Sequence, residues 1–144
     1  MRIQDSIVID RPVENVFAYV SDVNHLPEWA GTTVEVKDAP AGPLRDGATF
    51  ADVGKFLGRR FETPFQATVE APHRLVYRST AGALVPHDWT YTFEPLGGST
   101  RMTLAVEGEP GGFFRLATPL IQRALRRQMN KDLANLKRVI ECRS

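Results

Sequence analysis

The sequence predicts an α+β fold in a single domain, residues 1–144, and three observations carry this. From Gly47 to Glu109 the pattern is that of β-strands throughout, broken only by turn signals. Ahead of it lie one strand and two short helices, and behind it one long amphipathic helix, so strands and helices are segregated along the chain. Finally, 144 residues with 42% hydrophobic and 24% charged side chains are enough for one core and argue against disorder.

In chain order, "RIQDSIVID" (2–10) reads as a strand because Ile3, Ile7, Val8 and Ile9 are β-branched. "RPVENVFAYV" follows as a helix, with Pro12 suited to its first turn and Val13, Val16, Phe17 and Val20 at helical spacing. Asp22 can cap a second short helix, "DVNHLPEW", which Pro27 interrupts. Thr32–Lys37 reads as a strand and "DAPAGPLRDG" as a loop. "ATFADVGKF" and "RRFETPFQATVEA" are the next strands, the second with Phe61, Thr63, Phe65, Ala67 and Val69 on one face. Ala71-Pro72-His73 turns the chain into "RLVYRST". "HDWTYTFEP" follows, and Leu96-Gly-Gly-Ser99 makes a hairpin into "TRMTLAVEGE". An initial turn at Phe113–Ala117 precedes the last helix, which Thr118-Pro119 opens. Along that helix Ile121, Leu125, Met129, Leu133, Leu136, Val139 and Ile140 share one face, with Arg123, Arg126, Arg127, Lys131, Lys137 and Arg138 opposite.

Charge is distributed unevenly. Residues 113–144 hold 8 Lys/Arg against 2 acids, a net of +6, and the rest of the chain carries −5. The basic helix face could meet an anionic membrane or RNA, or simply be the solvated side of a surface helix. Cys142 is the one cysteine, which excludes an internal disulfide and fits a reducing compartment. No window approaches a membrane span and the N-terminus has no apolar signal core, so a cytoplasmic protein is expected. His25, His73 and His87 sit on different elements, and no HExxH, CxxC or GxSxG occurs, so neither a metal, a cofactor nor a nucleophile elbow is expected.

The strand "HDWTYTFEP" stands out. His87, Trp89, Tyr91 and Phe93 alternate onto one face, where a plain core strand would carry Val, Ile or Leu. Rings with polar handles either line a cavity, sandwiching an apolar body, or fill core with their N–H and O–H groups bonded locally. Tyr77, Phe61 and Phe65 are expected to join the same wall. Gln128 and Asp132 fall within the apolar sector of the last helix. A carboxylate there is costly unless partnered, so Asp132 either faces the cavity or holds a structural partner at the helix–sheet seam. His25, Glu28 and Trp29 either gate a cavity mouth or pack beneath the sheet edge.

Four stretches, "IVIDRPVENVFAYVSDVNHLPEW", "PHRLVYRS", "YTFEPLGGSTRMTL" and "NKDLANLKRVIE", together resemble the START-like (SRPBCC) superfamily, which includes Bet v 1-like plant proteins and bacterial polyketide cyclase/dehydrase-type proteins. The resemblance covers nearly the whole chain. It implies a helix-grip fold: a curved antiparallel sheet of about six to seven strands around a long C-terminal helix, with an apolar cavity between them. Relatives of this kind bind lipids, hormones, quinones or polyketides, and some catalyse.

The expectation is therefore a binder of a small hydrophobic or amphipathic molecule, lined by Phe61, Phe65, Tyr77, His87, Trp89, Tyr91, Leu125 and Met129. One alternative is a metal-free cyclase or dehydratase using His87, with Tyr77 or Asp132, as acid–base; the residues permit an enzyme without requiring one. Another is a quinone or lipid chaperone that makes a weak membrane or protein contact through the basic helix. No DNA partner is expected, and a monomer and a homodimer are equally compatible with the sequence. The identity of the ligand is not written in these residues.

Overall fold

The computed structural model describes residues 2–56, 58–80, 86–108 and 118–143. Its strands are β1 (Arg2–Ile9), β2 (Thr33–Lys37), β3 (Thr49–Phe56), β4 (Arg59–Glu70), β5 (Arg74–Ser79), β6 (His87–Leu96) and β7 (Ser99–Gly108). The helices are α1 (Val13–Ser21), α2 (Leu26–Trp29) and α3 (Thr118–Glu141), with a 3-10 turn at Val23–His25. The seven strands form one curled antiparallel sheet in the order β1-β7-β6-β5-β4-β3-β2, and with α3 they make the expected helix-grip arrangement. The expected initial turn at Phe113–Ala117 lies outside the described residues.

Alternation places the core. In β4, Thr63, Phe65 and Ala67 are buried, and in β6, Tyr91 and Phe93. The β6–β7 hairpin turns at Gly97, whose φ of 72° lies in the left-handed region that favours glycine. At the other end of the same pair, Gly108 faces His87 across the ladder. A Cβ on Gly108 would lie 2.9 Å from the His87 Cβ and 3.0 Å from the Pro86 carbonyl, so this close approach needs glycine. Pro12 stands one place outside α1, and its carbonyl accepts from the Asn15 and Val16 amides.

Helix α3 closes the concave side. Ile121, Met129, Leu133, Leu136 and Ile140 are buried, and Leu125 and Val139 are half-buried, as the sequence periodicity requires. Its C-terminal end is clamped to the β1–α1 corner. Lys137 Nζ donates to the Val8 carbonyl at 2.9 Å, and the Asp10 amide donates to Glu141 Oε2 at 2.8 Å. Arg11 also donates to the Glu141 carbonyl. The Lys137 hydrogen bond, with the Asp10 amide second, holds the Glu141 carboxyl below its ordinary range. Arg123, Arg126, Arg127 and Lys131 are exposed. Because Leu136 is fully buried beneath the helix, Leu136→Ala is expected to cost about 2–5 kcal/mol in chemical denaturation. A loss below about 1 kcal/mol would contradict its place in the core.

Candidate functional site

Clamping one end of α3 leaves its first turns over the open end of the sheet, and a cavity of about 220 Å³ lies between them. Phe56, Phe61, Trp89, Leu104, Val106, Ile121, Leu125 and Met129 supply its apolar walls. Thr32, Asp52, Lys55, Thr63, His87, Gln128 and Asp132 supply its polar and charged groups. A wider, shallower depression of about 610 Å³ lies beside it, between Arg2, Ser79, Pro86, Asp88 and Glu107, and shares His87 and Gly108 with the cavity. The inner cavity is the better candidate despite its smaller volume, because most of its wall surface is apolar.

The expected site residues divide into two layers. Phe61, His87, Trp89, Leu125 and Met129 line the cavity. Phe65, Tyr77 and Tyr91 lie deeper in an aromatic cluster: Tyr77 meets Phe50 at 5.1 Å and Tyr91 at 5.2 Å between ring centroids, and Phe65 meets Phe50 at 5.6 Å. His87 joins the layers, edge-on to Phe65 at 5.4 Å and near Trp89 at 6.0 Å. Its backbone amide donates to Ser79 Oγ at 2.9 Å. Strand curvature separates these layers, since residues two apart on β6 point the same way but sit at different depths of the sheet.

Asp132 combines both roles weighed for it. It lines the cavity, and its Oδ1 accepts from the Gly31 amide at 2.9 Å and from Gln128 Nε2 at 2.8 Å. Burial raises its pKa, and the two hydrogen bonds oppose that rise. This carboxylate fastens the α2–β2 connection to α3. Asp132→Ala is expected to cost about 1 kcal/mol and to speed hydrogen exchange of the Gly31 amide, whereas Asp132→Asn should largely restore both. Unchanged exchange in the alanine variant would contradict the fastening role.

His25, Glu28 and Trp29 do not line the cavity. His25 stacks on Tyr19 at 4.2 Å, and its Nδ1 lies 2.5 Å from Glu28 Oε2, which also accepts from the Tyr19 hydroxyl at 3.2 Å. Burial first, then Glu28, pushes the Tyr19 pKa up to about 12. Trp29 is buried against Tyr91. These residues pack one corner of the fold.

Asp52 is the residue that sequence reasoning missed. Its Oδ2 accepts a long hydrogen bond, 3.4 Å, from Thr33 Oγ1, while Oδ1 is buried with no hydrogen-bond partner among the described residues. Burial pushes its pKa up to about 6, and the Thr33 hydroxyl only partly opposes this. The signal was the alternation Phe50, Asp52, Gly54, Phe56, which puts a carboxyl on the same strand face as buried Phe50. Tyr77 Oη is likewise buried without a partner among the described residues. Burial raises the Tyr91 pKa well above its ordinary value, with Tyr77, Asp52 and Asp132 adding to the effect. Among the described residues no three His, Cys, Asp or Glu side chains are grouped to hold a metal ion, and no helix is long and apolar enough to cross a membrane.

A curled sheet gripping one long helix over a mostly apolar cavity defines the START class of fold. Residues 1–141 match the polyketide cyclase / dehydrase and lipid transport family, and the chain belongs to it. Solved structures agree on the fold. TTHA0849 from Thermus thermophilus superposes with a TM-score of 0.83 at 17% identity, covering 97% of each chain. The Zhui aromatase/cyclase from Streptomyces sp. R1128 gives 0.80 at 13% identity, covering 98% of this chain and 93% of that one. A START superfamily protein from Mycobacterium smegmatis gives 0.76 at 13% identity, covering 97% of each. No protein of curated function matches the chain in sequence.

Proposed function

We propose that this protein binds one compact, largely apolar small molecule between the sheet and α3. The cavity carries this reading: its volume is about 220 Å³ and most of its wall surface is apolar. That volume lies below the ~300–1,000 Å³ usual for sites that hold drug-sized ligands. A small ring system or short-chain amphiphile suits it better than a long lipid. Family membership supports the reading, since lipid transport and polyketide chemistry both require an apolar guest. Native mass spectrometry of the protein purified from its own host, followed by denaturing extraction, tests it. A low-mass compound at one per chain is expected. A protein that is empty, and that also takes up no small aromatic probe, would overturn it.

A cyclase or dehydratase activity is the second reading, favoured by His87, Asp52 and Asp132 on the walls of one cavity. Proton transfer to or from a bound substrate needs such a group within hydrogen-bond reach. With the extracted compound or its precursor as substrate, His87→Gln should then lower kcat by a hundredfold or more, as removal of a general acid or base does, with affinity retained. Binding alone predicts no turnover to lose.

A further inference from the structure

We propose that Asp52 is the anchoring acceptor of the cavity, and that the guest it selects is a compact apolar molecule carrying a neutral hydroxyl. The inference rests on the binding role proposed above and deepens it. Asp52 lines the cavity, yet one of its oxygens has no partner among the described residues and the other has only a 3.4 Å contact to Thr33. A buried polar atom left unpaired is costly, and a site that keeps one is completed when a ligand supplies the missing group. The terminal torsion of an aspartate is soft, so either oxygen can turn toward a guest. What a carboxylate lacks is a donor.

A hydroxyl meets this need at least expense. It gives a charge-assisted hydrogen bond, and the rest of the guest stays apolar against Trp89, Phe61, Leu125 and Met129. An ammonium would bring three N–H donors and a desolvation cost that a buried ion pair barely repays. Asp132, on α3, already accepts from Gly31 and from Gln128 at Oδ1, so Asp52 is the less satisfied of the two carboxyls. The anchor therefore lies at the β3 wall, and the ring or chain of the guest runs toward α3.

The test compares 2-naphthol, naphthalene and 2-naphthylmethylammonium by calorimetry and ligand-observed NMR, with the wild type, Asp52→Leu and Asp52→Asn. The cost of taking each probe out of water is the same for every variant, so it cancels when affinity ratios are compared. The naphthol-to-naphthalene ratio should fall roughly tenfold or more in Asp52→Leu. It should fall less in Asp52→Asn, which keeps an acceptor without the charge. If the leucine variant does not fold, the near-isosteric asparagine variant carries the test. A ratio unchanged in every variant that folds would overturn the anchor. Tighter binding of the ammonium than of naphthol, lost on mutating Asp52, would overturn the neutral hydroxyl. Binding of no probe by the wild type would remove the cavity function itself, and the anchor with it.

Discussion

Asp52→Asn is expected to stabilise the unliganded protein, by about 1–3 kcal/mol above pH 7 and by close to nothing near pH 3. The cause is a carboxyl whose pKa rises from 3.8 unfolded to about 6 folded, because burial disfavours its charged form. Below about pH 3 both states hold the proton, and Asp52 adds no penalty. As pH rises from about 4 to 6 the unfolded chain releases its proton first, and folding becomes progressively less favourable. Above about 6 the penalty is complete and constant, up to roughly 3 kcal/mol for this difference in pKa. Asparagine cannot ionise and lacks the penalty. Urea denaturation of both proteins across this range measures the gap. The two proteins share every other charged group, so the difference isolates Asp52. A gap that does not grow with pH would contradict the burial of this carboxyl. A stability gain obtained by deleting a polar residue is also what a site retained for binding should show.

Leu125→Trp is expected to abolish binding with little effect on the fold. Leu125 is half-buried and lines the cavity from α3, so a larger ring can enter vacant space there rather than displace packed neighbours. Affinity for naphthalene should fall by tenfold or more, as occupied volume excludes the guest, with stability within about 1 kcal/mol of wild type. Leu136, about three turns further along the same face, has no such space, and its truncation carries the full core penalty. The contrast separates a wall from a core. If Leu125→Trp binds the probe as well as wild type, the guest sits elsewhere.

Much of this was legible in the sequence because two periodicities are unusually clean. The 3.6-residue pattern from Ile121 to Ile140 predicts the gripping face of α3, and the two-residue pattern in β4 and β6 predicts which side of the sheet meets it. Depth was not legible. Trp89 and Tyr91 share a face, yet Trp89 reaches the cavity while Tyr91 belongs to the cluster beneath it. Alternation fixes a side chain's direction, whereas its depth depends on curvature summed over seven strands. Asp132 was conspicuous because it interrupts an apolar helix face. Asp52 was not, because a strand with Ala51, Asp52 and Gly54 at its centre looks weakly patterned until Phe50 shows which face is inward. The partner of Asp132, the Gly31 amide, lies 101 residues away and no local pattern announces it.

An isotope-filtered NOE experiment on the protein saturated with 2-naphthol locates the guest directly. Cross-peaks are expected from the naphthol ring protons to the Leu125 and Ile121 methyls, the Met129 methyl and the Trp89 ring, which surround a single cavity. Cross-peaks confined to exposed apolar side chains such as Leu120 and Val34, with none to those four residues, would contradict it.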